Sequence, residues 1–128
     1  MKILIVDDEN LVRTALRRAA ESRGHVVFEA QDGLEGLKRW NETQPDLVFL
    51  DVIMPGLTGP SLLKELGDDV KAKVILMSAY MGDWKENGQS IPETVSLFIS
   101  KPFNNIFDVI QKAEGIVDSK VGEKTSTL

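Results

Sequence analysis

Four apolar runs in this chain each end at a residue able to do chemistry. KILIV (2–6) leads into Asp7 and Asp8, LVFL (47–50) into Asp51, and SLFIS (96–100) into Lys101, while KVILMS (73–78) closes on Ser78. Taken singly, each has an ordinary reading. Aspartates cap helices, an aspartate ahead of Pro55 and Gly56 opens a turn, a serine caps a following helix, and a lysine is usually solvated. Complementary groups at four separate run ends are harder to explain by capping. Three carboxylates gathered around one ammonium repel one another and call for a divalent cation. Hard oxygen ligands, in a chain with no cysteine and only His25, select Mg²⁺ or Mn²⁺ over zinc. An ionised aspartate beside such a cation can be a nucleophile that forms an acyl phosphate. The Ser78 hydroxyl and the Lys101 ammonium would then hold the phosphoryl oxygens. On this chemistry Asp51 is the residue placed to be phosphorylated.

Such a gathering requires the four run ends to share one rim. The short continuous apolar runs read as strands buried on both faces, with HVVFEA (25–30) as a fifth strand that ends blandly in Glu29 and Ala30. Between them lie helical stripes. Leu11, Val12, Ala15, Leu16, Ala19 and Ala20 mark the first helix, which Gly24 stops. Asp32 and Glu35 have capping-box spacing ahead of Leu37 and Trp40, and Pro45 ends that helix. Thr58 and Pro60 open a short third helix that closes at Gly67. A last stripe runs through Ile106, Val109, Ile110, Ala113 and Val117, with Asn104 as its expected cap. Strands alternating with helices imply a doubly wound α/β domain of five parallel strands in three layers. Ligands in such a sheet bind beyond the carboxyl ends of the strands, where the strand order reverses. Asp7, Asp8, Asp51, Ser78 and Lys101 all stand at those ends.

Composition narrows the function classes. With 128 residues the chain is expected to be one domain, burying about two-thirds of its unfolded surface. The absence of cysteine removes disulfides, thiolate metal sites and cysteine nucleophiles. A net charge of −5 argues against direct nucleic-acid binding. No apolar run approaches the ~18 residues of a membrane span, so a soluble cytoplasmic protein without a signal peptide is expected. The domain is expected over 1–119, followed by a mobile tail over 120–128, whose residues lack apolar spacing.

The DD pair at 7–8, LDVIMPG around Asp51, SAY from Ser78 and KPF from Lys101, in that order, resemble the receiver domain of two-component response regulators. The resemblance covers residues 2 to about 118. It implies a flavodoxin-like sheet of order 2-1-3-4-5, and a histidine kinase or phosphotransfer protein that donates phosphate to Asp51. It implies that Asp8, Asp51 and the backbone carbonyl of Ile53 ligate Mg²⁺, with Asp7 acting mainly through water. It further implies a cis bond at Lys101–Pro102 that aims the ammonium inward. A switch is implied in which Phe98 turns inward as Ser78 moves. Ile53, Ala79 and Tyr80 would flank the phosphoryl group, and neither Ile53 nor Tyr80 offers an acid or amide to orient an attacking water.

One stretch departs from that family. YMGDWKENGQSIPETV (80–95) carries Gly82, Gly88 and Pro92 where receivers have a helix. Glycine costs ~1 kcal/mol and proline ~3 inside a helix, so an irregular or shortened helix is expected there, leaving the output partner undefined. Arg13, Arg17 and Arg18 read as a solvated face, with kinase docking as the alternative. Trp40, Met54 and Met77 read as packing, and His25 as structural or exposed.

The leading reading is a signalling module without an attached output domain, catalysing only its own phosphorylation and dephosphorylation. Two competitors fit less well. A haloacid dehalogenase-type phosphatase also uses an aspartate nucleophile and Mg²⁺, but wants a DxD pattern after strand one, which DDEN does not supply. A flavin- or nucleotide-binding module would want Ser, Thr and Gly in that loop, where Asp7, Asp8 and Glu9 repel phosphate.

Overall fold

A computed structural model describes residues 1–54, 56–67, 70–79 and 95–126, with side chains as far as Asp118. Five strands form one sheet: β1 (Lys2–Val6), β2 (Val26–Ala30), β3 (Leu47–Asp51), β4 (Lys73–Ser78) and β5 (Val95–Ser100). All neighbouring pairs are parallel, in the order β2-β1-β3-β4-β5. The expected doubly wound architecture is therefore the observed one. Four helices are present among the described residues: α1 (Asn10–Ser22), α2 (Gly33–Thr43), α3 (Gly59–Leu66) and α4 (Ile106–Ser126).

Parallel strands covered on both sides bury consecutive residues, and their period of two divides the core in half. Leu4, Val6, Val48, Leu50, Val74 and Leu76 pack on one face with Trp40 of α2 and Leu62 and Leu63 of α3. Ile3, Ile5, Leu47, Phe49, Ile75 and Met77 pack on the other with Leu16, Ala19 and Ala20 of α1 and Val109, Ile110 and Ala113 of α4. Met54, Met77 and Trp40 are core residues, as expected.

Local chemistry sets the helix ends. The Asp32 carboxylate accepts from the backbone N–H of Glu35 at 2.8 Å, and α2 ends at Gln44 in a left-handed conformation before Pro45. The Thr58 hydroxyl accepts from Ser61 N–H, and Gly67 follows α3 with φ 68°. Three details differ from expectation. The side chain at the start of α4 is Asn105, not Asn104: its Oδ1 accepts from the N–H groups of Phe107 and Asp108. The buried stripe of α1 is also narrower than expected. Leu11 is 82 % exposed and Ala15 exposed, so α1 packs through Leu16, Ala19 and Ala20. Finally, α4 continues to Ser126, through residues expected to form a tail.

His25 is structural. Its Nε2 lies 2.6 Å from Glu114 of α4, and the Arg23 guanidinium donates to the same carboxylate. Those two partners, Arg23 first, hold the Glu114 carboxyl down at about 2. The expected irregular helix between β4 and β5 falls on 80–94, outside the described residues, as does Tyr80.

Candidate functional site

The strand order reverses around β1, and the register there decides what meets at the rim. Val6 pairs with Leu50 across β1 and β3, so the next residues, Asp7 and Asp51, emerge side by side. Asp51 is itself level with Met77 of β4, one residue before Ser78, and Met77 is level with Ile99 of β5. The period of two then places Asp7, Asp51 and Lys101 on the face of α1 and α4, because Ile5, Phe49 and Ile99 precede them there. Ser78 continues the opposite face and is buried.

Ion pairs confirm the convergence. The Lys101 ammonium stands 3.0 Å from Asp7 Oδ2, 2.9 Å from Glu9 Oε1 and 3.4 Å from Asp51 Oδ2. The lysine side chain is 8 % exposed and Asp51 only 4 %. The Lys101–Pro102 peptide is cis, as the resemblance implies, and Lys101 N–H donates to the Ser78 carbonyl at 2.8 Å, joining the ends of β4 and β5. Asp7 is fully buried; its Oδ1 accepts from Glu9 N–H at 2.8 Å, and its carbonyl accepts from the Arg13 guanidinium at 2.6 Å. Arg13 therefore does not belong to a solvated face. It is tied to the acidic loop and to Glu29, whereas Arg17, paired with Glu21 and Glu29, is largely exposed. Asp8 is exposed and completes the acidic group: one carboxylate oxygen from each of Asp7, Asp8 and Asp51 lies within 4.8 Å of the others.

This crowding sets the electrostatics. Burial pushes the Asp51 carboxyl up to about 7, with Asp7 and Asp8 adding repulsion and Lys101 opposing. Burial likewise raises Asp7, against the Glu9 N–H and Lys101. For Lys101, burial disfavours the charge, but the hydrogen bonds of Glu9 and Asp7 and the charges of Asp51 and Asp7 prevail and raise its pKa. A cation held among the three aspartates would relieve the repulsion. All the donors are hard oxygens, which fit Mg²⁺ or Mn²⁺.

The loop after β3 is held by two close backbone approaches. A Cβ on Gly33 would overlap the Leu57 carbonyl oxygen, and one on Gly59 would lie 2.6 Å from the Asp51 carbonyl oxygen. Gly59 N–H also donates to the Val52 carbonyl. Ile53 lies in this loop with its side chain 57 % exposed, and Ala79 is exposed beyond Ser78. Phe98 is half-buried on the α2–α3 face, level with Leu76. An open cleft of about 360 Å³ borders the site, between Leu11, Val12 and Ala15 of α1 and the Pro102–Phe103 pair, with Glu9 and Lys101 in its lining.

Glu9 binds Lys101 although no motif marks it as a site residue, and the close approaches of Gly33 and Gly59 leave no local signature in the sequence. The signal for Glu9 was its adjacency to the DD pair. The glycine contacts depend on how two distant loops approach, which no local pattern reports.

Comparison with known proteins agrees with this geometry. Residues 3–113 match the model of the response regulator receiver domain. The chemotaxis protein CheY of Listeria monocytogenes is 38 % identical over 117 residues, covering 88 % of this chain and 98 % of that protein. Among solved structures, the receiver domain of the hybrid histidine kinase CckA is 34 % identical with a TM-score of 0.74, covering 91 % of this chain and 99 % of that one. The response regulator TrrA of Thermotoga maritima, solved in complex with Mg²⁺–BeF, is 31 % identical with a TM-score of 0.76, covering 90 % and 97 %. With its acidic rim, its buried lysine and these relatives, the chain belongs to the response regulator receiver domains of two-component signalling.

Proposed function

We propose that the protein is a phosphorylation switch that accepts a phosphoryl group onto Asp51 from the phosphohistidine of a sensor histidine kinase or phosphotransfer protein. One observation carries the reading: a buried carboxylate at a strand end, paired with a buried lysine, with two further carboxylates within 4.8 Å. An Asp51 Oδ attacks phosphorus, the P–N bond breaks, and its electron pair stays on the departing imidazole nitrogen. Lys101 neutralises charge on the phosphoryl oxygens, and the Ser78 hydroxyl donates to one of them. Asp8, Asp51 and the Ile53 carbonyl would hold Mg²⁺ or Mn²⁺, with Asp7 acting through water. When bound, the cation supplies positive charge against the phosphoryl oxygens. The Mg²⁺–BeF complex of the Thermotoga relative supports that assignment.

In this reading the protein catalyses only its own phosphorylation and dephosphorylation, in the cytoplasm. The signal leaves the site when Ser78 moves towards the phosphoryl group and Phe98 packs inward behind it. The cleft beside Lys101, edged by exposed Leu11 and Ala15, gives the donor protein an apolar foothold next to the acceptor. The test is incubation with Mg²⁺ and acetyl phosphate. Intact mass should show one added phosphate on the parent protein and none on Asp51→Asn. Labelling of the variant at the parent yield would refute the assignment.

A further inference from the structure

Lys101 has three ammonium protons and three acidic partners. The ammonium donates to Asp7 and Glu9 and stands 3.4 Å from Asp51, so a phosphoryl oxygen arriving at Asp51 competes with these carboxylates for it. Asp7 is fully buried and already accepts from the Glu9 N–H; releasing it would leave a carboxylate away from water without its cation. Asp51 carries the phosphoryl group itself. Glu9 differs from both, because its side chain is 60 % exposed and water can take over its hydration at once.

A second observation concerns the backbone. Glu9 occupies the N-cap position of α1, yet its side chain caps nothing there. Ser, Thr, Asp and Asn are the residues that serve a helix start. Here the side chain turns to Lys101 instead, 2.9 Å from the ammonium. Its charge matters as well as its contact. Asp7, Asp51 and Glu9 place three carboxylates against one lysine, and an incoming phosphoryl donor is itself an anion.

We propose that Glu9 is a positioning residue for Lys101: it occupies one ammonium proton in the unphosphorylated protein and surrenders it to the phosphoryl oxygen on transfer. Resting on the phospho-acceptor reading of Asp51, this makes Glu9 a brake on phosphorylation and a reporter of the empty state. Glu9→Gln removes the charge but keeps the shape, and Glu9→Asp keeps the charge on a shorter arm.

The experiment measures the rate of phosphorylation by acetyl phosphate in Mg²⁺ buffer for parent, Glu9→Gln and Glu9→Asp. Glu9→Gln should be faster by about fivefold, the factor a unit charge at ~4 Å in water is worth to another. That gain should shrink as salt screens the exposed charge, and Glu9→Asp should fall back towards the parent rate. A second readout is the NMR chemical shift of the Lys101 ammonium nitrogen. Parent and Glu9→Gln should differ in the free protein and coincide once Mg²⁺ and beryllium fluoride are added. Equal rates, or a shift difference that persists with beryllium fluoride, would overturn the role of Glu9 alone. Labelling of Asp51→Asn at the parent yield would instead overturn the reading beneath it.

Discussion

Replacing Asp51 by asparagine should make the metal-free protein more stable, and the gain should depend on pH. The folded protein holds the Asp51 carboxyl at about 7, against an ordinary value of 3.8, chiefly through burial. Between those two pH values the folded state binds more protons than the unfolded state, so stability falls as pH rises through that window. The difference is about 3 units, and at ~1.36 kcal/mol per unit the cost of ionising Asp51 in the folded protein reaches about 4 kcal/mol above pH 7. Asparagine avoids that cost. It also removes one counter-charge from Lys101 and buries an amide, so 4 kcal/mol is a ceiling. The assay is urea unfolding of parent and Asp51→Asn with a chelator present, at pH 5 and pH 8. The variant should gain most at pH 8 and less than half as much at pH 5, and Mg²⁺ should narrow the gap by stabilising the parent more. A variant no more stable than the parent at pH 8, or a gain equal at both pH values, would refute the crowding argument.

Further outcomes follow from the same geometry. Asp8→Ala should weaken Mg²⁺ affinity, measured by calorimetry, more than Asp7→Ala does, with little change in stability because Asp8 is exposed. Asp7→Ala should lower the Asp51 carboxyl pKa, followed by NMR titration, because it removes a neighbouring charge that raises it, while Lys101 keeps Glu9 and Asp51 as partners. Given the flanking of the phosphoryl group by Ile53 and Tyr80 that the resemblance implies, the phospho-form should decay slowly in Mg²⁺ buffer, because neither side chain carries an acid or amide to orient a water, a service worth ~10²–10⁴-fold. Ile53→Asn and Tyr80→Glu should both shorten its lifetime; a parent that decays as fast as they do would dismiss the idea. Gly33→Ala should cost ~1–3 kcal/mol in thermal unfolding, because the added methyl group meets the Leu57 carbonyl.

The sheet and most of the site were legible because both rest on strict periodicities. Runs such as KILIV and LVFL admit few readings other than buried strands, and each strand's end follows directly from its length. Asp7, Asp51 and Lys101 come together because one register and a period of two carry them to the same face. Where several residues compete for a role, local pattern does not decide between them. Asn104 and Asn105 are both plausible caps, and only the backbone geometry shows Asn105 accepting from Phe107 and Asp108. Leu11 looked like core because it fits the helical stripe, yet α1 meets the sheet through a narrower seam. Arg13 looked solvated because nothing local reveals that its guanidinium reaches back to the Asp7 carbonyl. Glu9 carries no local signal of a site role beyond its place directly after Asp7 and Asp8. Its contact with Lys101 spans 92 positions of sequence, which only the closed fold brings together.

The central claim is that a phosphoryl group sits on Asp51 as an acyl phosphate, and that bond has a chemical signature. Borohydride reduces an aspartyl phosphate to homoserine and leaves a free aspartate untouched. Protein treated with Mg²⁺ and acetyl phosphate, then reduced, digested and sequenced by mass spectrometry, should carry homoserine at position 51 and aspartate at positions 7, 8 and 46. Homoserine at any of those other positions, or an unreduced residue 51 in protein whose intact mass shows the phosphate, would contradict the account.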